Sequence, residues 1–344
     1  MEKRGDKVVT TETQFKTTQT SKIPTKIKLF THTDLDGVGC AILAKIASVI
    51  NNIDIDIDFC DYNNINDKVN DFLKIINSYD KVFIIDISVN EEVAEKLDKY
   101  NDKVVLLDHH KTADFLNKYK WAHVYETLVV DLEINVYIKV CGAYLFLDYL
   151  ITSNYLKNFE FLDILTDFVE VIREYDVWEW IEIDNILAKQ LNDLLYILGK
   201  ERFIEEFTKQ LLNGKFVIND KLNFLLELEQ EKIDDYIENK NKNLIIRDIK
   251  GYNVGIVFAE RYISELGSRL MELHPELDFV VIINIDKTIS YRTNKNNIDL
   301  GEFAKIYGGG GHPQAAGSPV SDEVKNKIID MLFEKKFTKG IDKI

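Results

Sequence analysis

Apolar positions along this chain switch repeatedly between two periods. Ile27-Lys28-Leu29-Phe30 reads as a strand, and Gly37 to Ile50 carries helical apolar spacing. Ile53 to Phe59 alternates Ile with Asp, the period-2 pattern of a half-exposed strand. Val82-Phe83-Ile84-Ile85 and Val104-Val105-Leu106-Leu107 are continuous apolar runs, as in buried parallel strands, and end at Asp86 and Asp108. Glu91 to Tyr100 between them predicts a short helix. Residues from Val136 to Asn213 read as mostly helical. No Gly or Pro falls between Gly214 and Gly251, and Leu222, Leu225, Leu226, Ile233, Tyr236 and Ile237 recur near helical spacing among charges, which predicts a long connecting helix. Beyond it, Val254–Phe258, Phe279–Ile285 and Thr288–Tyr291 read as strands, and Tyr262–Leu273 and Asp322–Phe333 as helices.

The predicted fold class is therefore α/β. A doubly wound, mainly parallel sheet is joined by a long helix to a smaller α/β C-terminal domain. The expected organisation is a loose tail over 1–25, a first domain over 26–213, a connecting helix over 214–250 and a second domain over 251–344. No internal repeat is visible.

Composition narrows the class. A chain of 344 residues with 46% apolar content suits two domains with sizeable cores. No apolar run is long enough to span a bilayer, so a membrane is not an expected partner. The N-terminal stretch is polar and Thr-rich, without the apolar core of a signal peptide. Cys40, Cys60 and Cys141 are far apart and form no CxxC pair, which argues against a disulfide framework or a zinc–thiolate site and fits a reducing cytoplasm. The net charge of −15 disfavours long DNA or RNA as the main partner, because neutralising phosphates supplies most of that affinity. A small anionic substrate remains compatible, since bound divalent cations invert the local field. Nothing in the sequence assigns an oligomeric state.

Five constellations bear chemistry. Thr31-His32-Thr33-Asp34-Leu35-Asp36-Gly37 follows a strand and opens a helix, where such sheets bind ligands. Two carboxylates and a histidine there suit a hard divalent cation that also accepts imidazole; the plain alternative is an Asp-rich helix cap. Asp86 ends its buried strand and by itself could be only a cap. Asp108-His109-His110 ends the next strand, and an Asp that takes a ring N–H orients a metal-binding imidazole. Arg173-Glu174-Tyr175-Asp176-Val177-Trp178 ends a helical stretch and alone reads as a charged terminus beside buried tryptophans. Finally, Gly308-Gly309-Gly310-Gly311-His312-Pro313-Gln314-Ala315-Ala316-Gly317 offers a backbone able to approach a phosphate, with the small residues after it read as a tightly packed helix start. Arg292, on a predicted strand just upstream, offers a planar fork for phosphate.

In this order the pieces resemble the DHH phosphoesterase superfamily over about residues 26 to 335. Asp108-His109-His110 matches the motif that names it, and Gly309-Gly310-Gly311-His312 resembles the glycine-rich motif of its DHH-associated C-terminal domain. Thr31 to Cys40 and Tyr175-Asp176-Val177-Trp178 look most like the NrnB-type oligoribonucleases, or nanoRNases. The resemblance implies a DHH catalytic domain over 26–213, a substrate-binding domain over 251–344, and two divalent cations, with Mn²⁺ the preferred choice. It implies that Asp34 and Asp36 each bind one ion, that Asp86 bridges them, and that His109 and Asp176 complete the second site. His110 would face the substrate phosphate, with Asp108 supporting the histidines. His32 stands two residues before Asp34, where many members place a histidine four before, so either His32 or a water would complete the first site. Arg292, the N–H groups of Gly309, Gly310 and Gly311, and His312 would hold a terminal phosphate or base of a short substrate. The implied activity is hydrolysis of very short RNA to nucleoside monophosphates. The alternatives are a cyclic or linear dinucleotide or an adenosine bisphosphate as substrate, and, in another class, a non-catalytic metal- or nucleotide-binding sensor.

Overall fold

The computed structural model describes residues 23–131 and 136–333. Residues 1–22 of the expected tail lie outside that range. The chain divides into two compact units, at Leu226/Glu227. No helix among the described residues is long and apolar enough to cross a membrane.

The first unit opens with β1 (Lys26–Thr31), α1 (Leu35–Asn51), β2 (Asp54–Phe59), α2 (Ile65–Phe72), β3 (Lys81–Ile85), α3 (Glu91–Leu97), β4 (Val104–Asp108) and β5 (Ala122–Val124). The five strands form one all-parallel sheet in the order β2-β1-β3-β4-β5. Alternation along each strand feeds two cores. Phe83, Ile85 and Leu107 pack with α1 on one face, while Val82, Ile84 and Leu106 pack with α2 and α3 on the other. This is the doubly wound arrangement that the continuous apolar runs predict, because helices on both faces leave the central strands no polar side. The order reverses between β1 and β3, and the crevice beyond the strand ends at such a point is where these sheets bind ligands.

β2 is an edge strand, and its Ile–Asp alternation is half-exposed as expected. The side chain of Lys28, buried on β1, reaches Asp56 at 2.7 Å and Asp58 at 3.1 Å.

The next stretch is mostly helical, as the sequence predicts, but it opens with a strand, β7 (Val136–Lys139), paired antiparallel with β6 (Thr127–Asp131). β-branched and aromatic residues dominate both strands, and pairing overrides the missing turn signal. Helices then follow: α4 (Gly142–Thr152), α5 (Leu162–Asp176), α6 (Glu179–Glu182), α7 (Ile186–Leu198) and α8 (Lys200–Leu212). They bury Phe146, Phe168, Phe203 and Phe207 in the α1-side core.

The helix α9 (Asp220–Asn241) contributes Leu222 and Leu226 to the first unit's core and Ile233, Tyr236 and Ile237 to the second's. The second unit continues with β8 (Ile245–Ile249), β9 (Tyr252–Phe258), α10 (Ile263–Leu273), β10 (Phe279–Ile283), β11 (Thr288–Arg292), α11 (Leu300–Lys305), β12 (Gly310–His312), β13 (Ala315–Pro319) and α12 (Asp322–Phe333). Its mixed sheet has the order β12-β13-β11-β10-β9-β8. Leu266 and Leu270 of α10 cover one face with Val280 and Ile282, and Phe303 of α11 covers the other with Phe279 and Tyr291.

The residues after the glycine run, expected as a helix start, form the strand β13 instead. Small residues are poor strand formers in isolation. Here β13 is held by β11 and β12 on both sides, and Gly309 passes so close that a Cβ there would stand 2.0 Å from the Gly317 carbonyl oxygen.

Candidate functional site

The ends of β1, β3 and β4 bring one group of side chains together in the first unit. Asp34 caps α1, taking the Gly37 N–H on Oδ1 at 3.1 Å and facing His32 Nδ1 with Oδ2 at 2.7 Å. Asp36, in the first turn of α1, is 1% exposed. Asp86 follows β3 with φ 60°, a left-handed conformation that costs an L-residue energy, and is also 1% exposed. Asp108 ends β4, fully buried. Its Oδ1 accepts the His110 Nδ1–H at 2.7 Å and the backbone N–H groups of His109 and His110 at 2.8 and 3.3 Å. Asp108 thus orients the His110 ring directly, but holds His109 only through its backbone. His109 points inward, with Nε2 3.3 Å from Asp86 Oδ1, 3.6 Å from Asp176 Oδ2 and 3.8 Å from Asp36 Oδ2.

Three overlapping groups of potential ligand atoms, each within 4.8 Å of one another, result: His32, Asp34 and Asp86; Asp36, His109 and Asp176; and Asp86 with Asp108, His109 and His110. All eight metal-binding and catalytic candidates read from the sequence therefore meet in one cluster, although Asp176 comes from the end of α5.

Electrostatics fit a divalent cation. Buried Asp86 Oδ2, Asp108 Oδ2 and His109 Nε2 have no hydrogen-bond partner, and buried polar atoms in folded proteins are almost always paired. No lysine or arginine among the described residues forms an ion pair with any of the five aspartates. Burial pushes the Asp86 carboxyl well above its ordinary range, with Asp36 and Asp34 adding to the effect. The same causes push Asp176 up to about 8. Burial also raises Asp34, but hydrogen bonding and charge from His32, together with the Gly37 N–H, bring it below its ordinary value. The Asp34 hydrogen bond in turn raises His32. Burial lowers His109, which favours the neutral imidazole that metals bind, and the Asp108 hydrogen bond raises His110.

Three supports were missed in the sequence. The backbone N–H groups of Gly142 and Ala143, at the start of α4, bind the two oxygens of Asp36 at 2.6 and 2.7 Å. A Cβ on Gly142 would lie 2.5 Å from Asp86 Cβ, so only glycine fits there. Tyr62, just past β2, places its hydroxyl 3.3 Å from His110 Nε2 and its ring 5.3 Å from the His32 ring. Its position beyond a parallel strand end was the one available signal. Arg173, read as a helix-end charge, is buried. Trp178, read as buried, is 67% exposed; its backbone, at φ 64°, turns the chain out of α5 and carries the ring to the surface.

The glycine motif lies in the second unit. His312 on β12 and Arg292 on β11 both pair with Ala315 on the strand between them. In-register residues share a face, so the two side chains lie on one face, roughly 10 Å apart by strand spacing. Arg292 Nη1 donates to the Tyr291 carbonyl at 2.9 Å. His312 lines a cleft of about 260 Å³ with Lys295, Asn296, Ile298, Pro313 and Gln314. One expectation needs correction: the Gly309 N–H donates to the Ala304 carbonyl at 2.9 Å and is not free for a phosphate. The turn after α11 draws it inward.

No family model matches the chain. It is 39% identical over 313 residues to Oligoribonuclease NrnB of Bacillus subtilis (strain 168), covering 89% of this chain and 75% of that protein. Among solved structures it resembles exonuclease RecJ bound to manganese, with a TM-score of 0.53 and 14% identity, over 88% of each chain. It also resembles the pGpG-specific phosphodiesterase PggH from Vibrio cholerae, with a TM-score of 0.50 and 15% identity, over 89% of this chain and 97% of that one. These two likenesses bear on the fold, whereas the NrnB match bears on kinship. The chain belongs to the family of Oligoribonuclease NrnB, among the DHH phosphoesterases.

Proposed function

We propose that the chain hydrolyses phosphodiester bonds in very short RNA and releases nucleoside monophosphates. The observation that carries this reading is the cluster of five aspartates and three histidines at the strand ends, with three buried polar atoms left unpaired. Kinship to an oligoribonuclease supports the substrate class.

In this reading His32, Asp34 and Asp86 would hold one divalent cation, and Asp36, His109 and Asp176 the other, with Asp86 placed to serve both. Carboxylate-rich sites with imidazole favour Mn²⁺. When bound, two such ions would supply electrophilic activation of a phosphoryl group and acidify water. The remaining work falls to the protein. Asp108 keeps the His110 ring oriented through Nδ1, and its charge favours the protonated form, so that Nε2 holds a proton facing the substrate. Neutral His109 keeps a lone pair on Nε2. Gly142 and Ala143 keep both Asp36 oxygens from swinging away. On the second unit, Arg292 and His312 bind the substrate, aided by Gly310 and Gly311. The acidic charge supports a preference for short substrates, since extra phosphates gain little from such a surface.

The test is product analysis with purified protein and Mn²⁺, comparing RNA dinucleotides, a five-residue RNA, a long RNA and cyclic dinucleotides. Monophosphates should accumulate fastest from the shortest linear RNAs. A long RNA cut as fast as a dinucleotide, or cleavage confined to cyclic dinucleotides, would overturn the assignment.

A further inference from the structure

Arg173 lies one turn before Asp176 on α5 and is 4% exposed. Its guanidinium is shared among three segments. Nε and Nη2 donate to Glu170 at 3.0 and 2.6 Å, Nη2 also to Glu179 Oε2 at 2.6 Å, and Nη1 to the Lys139 carbonyl at 3.0 Å. Two of these partners flank the supports of the acidic ligands. Lys139 ends β7, and the next two residues lead straight into Gly142 and Ala143, whose N–H groups hold Asp36. Glu179 opens α6 just beyond the left-handed turn at Trp178, so its bond to Arg173 closes the loop that leaves Asp176.

One buried cation thus ties the cradle of Asp36 to the end of the helix that presents Asp176. These two carboxylates approach His109 Nε2 from 3.8 and 3.6 Å. Ordinary stapling of a helix to a hairpin would need only the Lys139 bond. The added grip on Glu179, across the turn after Asp176, would contribute little to such a staple. It instead fixes where α5 ends.

We propose that Arg173 is a positioning residue for the Asp36–His109–Asp176 group, setting the separation of its two carboxylates and hence its affinity for one of two cations. The inference rests on the two-cation reading above. Ligand positions in metal sites are tolerated within about 0.2 Å, and loss of an outer partner typically weakens metal binding about 10–100-fold.

The experiment is Mn²⁺ titration of the full chain, followed by the electron paramagnetic resonance signal of free Mn²⁺. It compares wild type, Arg173→Lys, Arg173→Met and Glu179→Gln, below the unfolding midpoint of every variant. Lysine keeps the charge but lacks the planar fork that spans several acceptors. Wild type should bind two ions. Arg173→Lys and Arg173→Met should each bind one ion as wild type does and the other about 10–100-fold more weakly, with Glu179→Gln shifted less. The weakened ion should be the one that survives in Asp34→Asn. A purely structural role would lower the unfolding midpoint and leave both affinities alone, so superimposable isotherms in folded Arg173→Lys would overturn the inference while sparing the two-cation reading. Fewer than two ions on wild type would sink that reading, and this inference with it. Should Arg173→Met fail to fold, the lysine and Glu179→Gln variants decide the matter.

Discussion

The acid–histidine cluster of the first unit and the glycine hairpin of the second are built from opposite materials. In the cluster, side chains carry the polar groups and the backbone aims them. Asp36, Asp86 and Asp108 are buried, and burial together with the Asp36 and Asp34 charges raises the carboxyls of Asp86 and Asp176. In the hairpin the backbone itself is the feature, and Gly310, Gly311 and His312 are at least partly exposed. The first region stores electrostatic tension that a cation would relieve; the second offers a surface shaped by what is absent. The two should therefore fail in different ways when altered.

The largest effect should come from Asp86→Asn, chosen because asparagine tolerates the left-handed conformation at φ 60°. Nearly all turnover should vanish while the thermal unfolding midpoint of the metal-free protein holds or rises, as a raised carboxyl has been neutralised. Turnover in single-turnover assays close to wild type would end the shared-ligand assignment. Next, Asp176→Asn should move the Mn²⁺ activation curve about 10–100-fold to higher concentration, with partial recovery at high Mn²⁺. Superimposable activation curves would remove Asp176 from the site.

A third outcome concerns pH in excess chelator. The folded protein raises Asp86 and Asp176, the latter to about 8, so it keeps protons that unfolded carboxyls release near about pH 4. That stabilisation is complete below about pH 4; the Asp176 part is lost as pH rises through about 8, and the Asp86 part as pH rises through its own raised value. His32 and His110, also raised, add to the loss above about 6.5, whereas His109, lowered, works against it below that value. The midpoint should fall between about pH 6 and 8 and, with saturating Mn²⁺, climb instead, because ligation requires deprotonated groups. A climb already present in chelator would contradict the burial of those charges.

Smaller effects belong to the second unit. Arg292→Ala should raise KM about tenfold and leave kcat nearly unchanged, as for a contact equal in ground and transition states; a kcat loss at constant KM would place it elsewhere in the reaction. Gly309→Ala, forced against the Gly317 carbonyl, should destabilise by about 1–3 kcal/mol. Gly310→Ala, with nothing within 4 Å of the added carbon, should stay within about 0.5 kcal/mol. Equal unfolding midpoints for the two would mean that the hairpin does not depend on close approach.

The strands that end in Asp86 and Asp108 were legible because burial on both faces leaves an unbroken apolar run, and a charge at its end has to sit at the crevice. The β6–β7 pair was not, since no Gly or Pro lies between the two strands in sequence and their composition merges into the helices that follow. β13 was misread because Ala and Gly carry almost no strand preference of their own, and its pairing partner β11 lies far back in sequence. Gly142 and Arg173 escaped for a related reason. Gly142 acts through its backbone on Asp36, 106 residues away, and Arg173 reaches the Lys139 carbonyl across 34 residues. No residue-type pattern encodes a main-chain contact at such separations.

The edge strand β2 has a consequence for how the protein behaves when concentrated. An open sheet margin is a template on which another chain can lay a strand. Here that margin carries a carboxylate at every second position, Asp54, Asp56 and Asp58, and Lys28 reaches the latter two from the neighbouring strand. A second copy approaching edge to edge would have to bring its own row of aspartates against this one. The same alternation that marks β2 as half-exposed thus sets charge along the sheet's edge strand, a feature that disfavours strand addition there.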